Sequence, residues 1–398
     1  MTFTDSPRVA RRWAAAVCVL GALLAAACGD DGAASVPPAS TTASPTTSAD
    51  DTATTTDDPT DGLGDSVAWP EPDWDVAEPA EAGVDEAVLA ELATLAGDGG
   101  SDCLVVSRHG QIVGEWYWNG TDQSSEREAF SVTKSITSTL VGIAQEQGLL
   151  DIDQPASDFI TEWAGTPSEA VTIRNLLTND SGRFQTAESD YVQLATREAD
   201  KSAYAIGLEQ EHEIGTVWVY NNAAIQVLEE VLQRATGVEV HEYARVQLFE
   251  PLGMDSSIIT DPAGNTLTFM GAQMSCRDMA RFGLLYLRGG EWDGEQVVPA
   301  AWVTDATQPS TPLNVGYGYL WWLIGEGADD ADAVATAPGQ GAIPSSGPPA
   351  YAALGLGGQV IAIIPEHDLV VTRLGNPQAG SFSLLGVLQL LQQDLIVD

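Results

Sequence analysis

Along the chain, apolar positions fall into three regimes. Residues 14–27 form one short apolar run, residues 29–73 are dominated by Ser, Thr, Ala, Pro and Asp, and from Trp74 onward apolar positions recur with periods that specify elements. Two β-rich runs, Cys103-Leu104-Val105-Val106-Ser107 and residues 111–118, flank Arg108-His109-Gly110, which predicts a β-hairpin. Over residues 133–147, Ile136, Leu140, Ile143 and Ala144 share one stripe that stops at Gly148, which predicts a helix. Residues 223–235, closed by Thr236-Gly237, predict another. Residues 316–324, 358–365 and 368–374 are rich in β-branched or aromatic side chains and predict strands, followed by an apolar helix over about residues 382–393. Strands at both ends with helices between them predict an α/β fold, in which one antiparallel sheet is shared by the two ends and the middle is a helical insert.

Composition changes the picture at the N-terminal end. Arg8, Arg11 and Arg12 precede an apolar run too short to span a bilayer, and the run closes on Ala25-Ala26-Ala27-Cys28. This three-part layout reads as a secretory signal over residues 1–27. It resembles a bacterial lipoprotein signal, in which Cys28 becomes the lipidated N-terminus; an ordinary cleaved signal with Cys28 incidental is the other reading, and Arg11-Arg12 raises a twin-arginine route. Residues 28–73 cannot bury enough apolar surface to offset their ordering entropy and read as a flexible acidic tether. The folded unit is then residues 74–398, on the outer face of the cell membrane or secreted.

Charge and cysteine count narrow the chemistry. The chain has 16 Lys+Arg against 57 Asp+Glu, a formal charge of −41, so it lacks the basic face that nucleic-acid binding needs. Only Lys134 and Lys201 are lysines. Cys103 and Cys276 are the two thiols left in the exported unit, either paired as a disulfide or buried separately. Neither has zinc-ligand spacing with His109, His212, His241 or His367, so neither a metal nor a cofactor is expected.

Ser131-Val132-Thr133-Lys134 carries the strongest signal. On a helix, residues i and i+3 share a face, so the Ser131 hydroxyl and Lys134 amine can meet. A serine at a helix start also faces free N–H groups that favour developing negative charge. Desolvation depresses a lysine pKa, so Lys134 can accept a proton near neutral pH. The plainer alternative is a capping serine with a surface lysine. Tyr220-Asn221-Asn222 precedes the second predicted helix; a Tyr220 hydroxyl beside a cationic lysine is expected to have a lowered pKa and to relay a proton, with Asn222 orienting lysine and substrate. Tyr117-Trp118-Asn119 has the same spacing but precedes the serine, on the hairpin, and reads as sheet packing.

Phe130-Ser131-Val132-Thr133-Lys134-Ser135, Thr172-Ile173-Arg174-Asn175-Leu176-Leu177-Thr178, Ser181-Gly182, Tyr220-Asn221-Asn222 and Gly357-Gly358-Gln359, with Pro365-Glu366-His367-Asp368-Leu369-Val370, resemble the serine β-lactamase-related hydrolases. That family includes class C β-lactamases, DD-peptidases, esterases and 6-aminohexanoate-dimer hydrolases. The segments 276–283 and 317–322 lean toward the last branch. The resemblance implies a β-lactamase/transpeptidase-like fold, with Ser131 as nucleophile, Lys134 as base and Tyr220 as proton shuttle. It places the backbone N–H groups of Ser131 and Gln359 in an oxyanion hole, and Tyr191 near a substrate-contacting tyrosine, although a packing aromatic is the alternative there. The third box reads Leu356-Gly357-Gly358, where the family usually begins with Lys or His. Leucine cannot bind a carboxylate, which favours a small ester or amide over a β-lactam or D-Ala-D-Ala.

Two other functions compete. A Ser-His-Asp hydrolase would need a Gly-x-Ser-x-Gly elbow, which the chain lacks, while His109 and His367 sit in ordinary turns. A non-catalytic ligand-binding surface lipoprotein would not need Ser131, Lys134 and Tyr220 together. A β-lactamase or DD-carboxypeptidase-like enzyme remains the alternative within the family.

Overall fold

The apolar run at residues 103–107 forms a strand because both of its faces are covered. Cys103 and Val105 point into one core cluster and Leu104 and Val106 into another. Such two-sided burial is why the run reads as continuous rather than alternating. The computed structural model describes residues 68–325, 343–344, 347–377, 387 and 395–397. The expected signal, Cys28, most of the tether and nearly all of the expected C-terminal helix lie outside the described residues.

The elements that build the site run in this order. Helix α1 (Glu86–Asp98) precedes the hairpin of β1 (Ser101–Arg108) and β2 (Gln111–Tyr117). The short strand β3 (Arg127–Glu128) leads into α2 (Val132–Glu146). The helical middle includes α3 (Glu188–Arg197), wound with wide π-type hydrogen bonding, α4 (Lys201–Gly207) and α5 (Asn222–Thr236). Strands β4 (Ser257–Ile258) and β5 (Ala272–Met274) and helix α6 (Cys276–Leu287) follow. The C-terminal strands are β6 (Trp322–Gly325), β7 (Ile343–Pro344), β8 (Ala350–Gly355), β9 (Gln359–Ile364) and β10 (Leu369–Gly375).

The main sheet has the order β2-β1-β10-β9-β8-β6-β7 and is antiparallel except for the β6–β7 pair. The first hairpin and the last three long strands therefore share one sheet, as the strand–helix–strand pattern predicts. One face carries Val105, Ile361, Ile363 and Val370 against the helical part; the other carries Val106, Val360, Ala362 and Val371 beneath Leu89 and Leu92 of α1. Full burial of each valine, isoleucine or leucine among these contributes roughly 1.5–3 kcal/mol. Cys103 on β1 is disulfide-bonded to Cys276, the first residue of α6, which fastens that helix to the sheet.

The structure departs from the sequence expectations in three places. The strand predicted over residues 316–324 is confined to β6, because Gly318 backs against the Ala306 carbonyl (a Cβ there would lie 1.9 Å from it) and Leu320 takes a positive φ of 62°. Strand β8, with alanines where β-branched residues are usual, is absent from the predicted set. Folded contacts also begin before Trp74: Trp69 packs on Trp292 at 5.3 Å, and Asp73 pairs with Arg277 at 2.9 Å.

Candidate active site

Strand β3 delivers the chain to Ser131 through a backbone that few residues adopt. Ala129 N–H donates to Ala272 O, and Phe130 then takes a positive φ of 50° immediately before the serine. For a bulky residue that conformation is costly and persists only where the surroundings impose it. Thr133 holds the turn, donating to Phe130 O at 2.6 Å and accepting from Ala272 N–H at 3.0 Å. Ser131 stands at the cap position of α2, yet its side chain makes no capping bond. The hydroxyl is thereby left for other work.

That work is set by Lys134. Its Nζ donates to Ser131 Oγ at 2.7 Å and to Phe269 O at 2.7 Å, and the side chain is 1% exposed. Burial lowers its pKa to about 7, against a partly compensating pull from the Asp190 carboxylate. Tyr220 completes the group: its hydroxyl is hydrogen-bonded to Ser131, and Lys134 Nζ lies 4.8 Å from its ring centroid. The three residues expected to act together are brought together.

The Tyr220 pKa runs opposite to expectation. Enclosure of its hydroxyl pushes the pKa well above the ordinary tyrosine value, further aided by the nearby Tyr191 and Asp190, and the Ser131 bond offsets only part of this. Tyr220 is thus a phenol throughout the physiological range.

Helix α5 places Tyr220 through its own start. Asn221 caps it, accepting from Ala224 N–H at 2.8 Å and donating to Arg183 O at 3.0 Å, while its backbone N–H reaches Asn179 Oδ1. The Thr172–Asn175 capping box and the 2.8 Å bond from Asn175 Nδ2 to Asp180 shape the segment that presents Asn179. Asn222 N–H donates to Asp190 Oδ2 at 2.7 Å, and the Asn222 side chain is hydrogen-bonded to Tyr191. Tyr191 and Asn222 therefore share one polar group beside Tyr220, and burial raises the Tyr191 pKa to about 12.

Aromatic side chains form the neighbouring wall. Trp322 stacks on Tyr220 at 5.8 Å, Tyr317 meets Trp322 edge-on at 4.9 Å, and Trp218 packs on Tyr317 at 5.4 Å. The sequence marks Tyr317 and Trp322 only as part of a branch-like segment, and Asp190 only as a neighbour of Tyr191. Their place in the site depends on packing between distant elements, which no local pattern encodes.

The third box lies in the β8–β9 turn. Leu356, Gly357 and Gly358 are half-buried, and the buried Arg373 donates to the carbonyls of Gly357 (2.6 Å) and Gly358 (2.9 Å). Gln359 opens β9, paired with Gly355; its side chain bonds Leu356 O, Gly375 O and Gly375 N–H. Since β9 is an interior strand between β8 and β10, Gln359 closes the turn, and none of its side-chain bonds reaches Ser131. The edge of β8 stands in a different relation to the serine. Its pairing with β6 stops at Ala352, opposite Trp322, and a Cβ on Gly355 would fall 2.3 Å from Ala129 O. The stretch 353–355 is therefore bracketed by Trp322, which stacks on Tyr220, and by Ala129, two residues before Ser131.

The remaining sequence candidates lie elsewhere. Tyr117 bonds Glu115 at 2.6 Å, and His109 Nδ1 sits 2.8 Å from Asp368 in a turn. Among the described residues no group of three or more His, Cys, Asp or Glu is arranged to hold a metal, and no helix is long and apolar enough to cross a membrane.

Comparison with known proteins gives a consistent set of likenesses. A family model described as Beta-lactamase matches residues 86–390. A 6-aminohexanoate-dimer hydrolase of Paenarthrobacter ureafaciens is 24% identical over 304 residues, spanning 69% of this chain and 72% of its own. Among solved structures, a family VIII carboxylesterase aligns with a TM-score of 0.59 and 16% identity, over 80% of this chain and 97% of that one. A penicillin-binding protein from Bacillus halodurans aligns with a TM-score of 0.59 and 18% identity, over 75% and 98%. At such identities the structural likeness is one of fold.

Proposed function

The chain belongs to the β-lactamase family, a family of serine hydrolases, and on that premise we propose that it cleaves small ester or amide bonds through an acyl-Ser131 intermediate. The observation that carries this is the 2.7 Å contact between Ser131 Oγ and a fully buried lysine whose pKa lies at about 7. Neutral Lys134 takes the Ser131 proton as Oγ attacks the carbonyl carbon. The C–O or C–N bond then breaks as the Tyr220 phenol protonates the departing oxygen or nitrogen, and the proton held by Lys134 passes to the resulting tyrosinate to restore the phenol. Water reverses the sequence to release the acid.

The oxyanion formed in each half needs preorganised donors. The Ser131 N–H at the start of α2 is one. We assign the second to the free edge of β8 over residues 353–355 in place of Gln359, because that edge is the part of the sheet bracketed around Ser131.

The substrate side rests on the residues around Ser131. Leu356 brings no cation, and Arg373 spends its donors on carbonyls, Ser101 Oγ and Gly99 O, so a substrate carboxylate finds no anchor in the third box. The half-buried rings of Tyr220 and Trp322, backed by the buried Tyr317 and Trp218, suit an apolar acyl chain, with Tyr191 and Asn222 as polar contacts. A relative named for the 6-aminohexanoate dimer and a fold neighbour named a carboxylesterase fit this reading. We also propose that the enzyme works outside the cell, tethered by a lipidated Cys28. The Cys103–Cys276 disulfide supports this, since such bonds persist in oxidising compartments.

A panel of short p-nitrophenyl esters, linear amides and nitrocefin tests the activity. We expect turnover of esters or amides and labelling of Ser131 by a fluorophosphonate. Faster turnover of nitrocefin than of every ester and amide would favour the β-lactamase alternative, and an inert, unlabelled Ser131 would favour a binding protein.

A further inference from the structure

Beyond the three reacting groups, one buried charge touches two parts of the machinery at once. Asp190, on the π-wound helix α3, is 0% exposed. Its Oδ2 accepts the Asn222 N–H at 2.7 Å, with the Ala223 N–H also in range, so it holds the first turn of α5, two residues beyond Tyr220. Gln185 Nε2 lies 3.5 Å from the same oxygen. Its Oδ1 is buried and has no hydrogen-bond partner among the described residues. Asp190 is also the charged group whose field acts on Lys134. Wide helical turns of this kind recur at functional sites, where they re-aim a side chain.

We infer that Asp190 is the positioning residue of this site, anchoring the start of α5 so that Tyr220 meets Ser131 and setting, through its charge, the proton affinity of Lys134. The inference rests on the reading of Lys134 as the base. Burial raises the Asp190 pKa to about 6, with the Asn222, Gln185 and Ala223 bonds and the Lys134 charge pulling it back. Around neutral pH it is thus largely ionised while Lys134 is half protonated. The titratable groups facing Asp190 are Lys134 on α2, Tyr191 on its own helix, Tyr204 on α4 and Tyr220 before α5. Tyrosines of raised pKa stay neutral here, so the exchange of charge is between Asp190 and Lys134.

Asp190→Asn and Asp190→Ala separate the two tasks. An asparagine oxygen can still accept the Asn222 N–H but carries no charge; alanine does neither. Without the negative charge the ammonium form is less favoured, so in Asp190→Asn the Lys134 pKa should fall by about one unit or more. The acid limb of kcat/KM should move to lower pH with it. Asp190→Ala should in addition lower kcat by at least about tenfold at every pH, because Tyr220 loses its placement. The chain's two lysines allow a direct measurement: protein carrying 13Cε-lysine gives one resonance each for Lys134 and Lys201, assigned with Lys201→Arg. In the wild type the Lys134 resonance should titrate in two coupled steps that belong to the Asp190–Lys134 pair, which keeps the inference testable should a variant fail to fold. A single-step wild-type titration, or a folded Asp190→Asn variant with an unmoved Lys134 resonance, would overturn it. If Lys134 shifts as expected but no ester or amide is turned over, the hydrolase reading fails and the electrostatic role of Asp190 stands.

Discussion

At Ser131, two opposite pKa shifts divide the proton work. Burial draws Lys134 down to about 7, so the lysine is suited to taking a proton, and pushes Tyr220 up, so the phenol still holds a proton when the leaving group needs one. The pH dependence follows. As pH rises through about 7 the ammonium becomes an amine, and kcat/KM should rise over that interval; below it, rate should fall about tenfold per unit as the base is protonated. Lys134→Ala should cost orders of magnitude in kcat, comparable with Ser131→Ala, because groups acting as a unit lose activity together. Steady-state kinetics on the two variants and a wild-type pH profile check both expectations; a lysine variant retaining most activity would refute the assignment. These residues are legible in the sequence because a three-residue spacing on a helix is local information. Asp190 is not legible, since its meaning comes from where α3 meets α5. The Tyr220 shift escapes for a related reason: sequence shows the neighbouring lysine but not the enclosure that outweighs it.

At the scale of elements, the hairpin β1–β2, the helices α2 and α5 and the strands β9 and β10 are visible in the sequence, since each carries a strong period or an unbroken β-rich run ended by glycine or a turn. Strand β8 is not visible, because Ala350, Ala352 and Ala353 owe their strand to pairing with β6 and β9. The proposed second oxyanion donor on the β8 edge is hidden from the sequence for the same reason, since the resemblance points to the backbone of Gln359 on the next strand instead. The disulfide between β1 and α6 is legible only as a choice between paired and separate thiols; their geometry decides it. The bond closes a loop of 173 residues and its removal should cost roughly 2–4 kcal/mol on a chain-entropy argument. Denaturant unfolding of Cys103→Ala/Cys276→Ala against the oxidised wild type measures this. Unchanged stability would mean that packing alone holds α6 on the sheet.

At the scale of the whole molecule, a formal charge of −41 sets the protein apart from any anionic partner and keeps an acidic surface apart from an anionic membrane. A lipid at Cys28 would hold it near that membrane against its own charge. We expect Cys28→Ala to move the protein from the membrane fraction to the soluble one; a variant still sedimenting with membranes would call for another mode of attachment. The tether, by its composition, would leave the cleft free to meet substrates some distance from the lipid surface.

The register of the central sheet also governs when this enzyme comes into being. Ser101 pairs with Gly375 and Arg108 with Leu369, so β1 waits for a strand made more than 260 residues later. Contacts so distant in the chain are slow to form, because a long loop must close before they return any stability. A chain still being synthesised cannot close its sheet, and strand β8, paired with β6 on one side, joins β1 only through β9 and β10. Assembly of the candidate site is thus coupled to arrival of the strands that close the sheet.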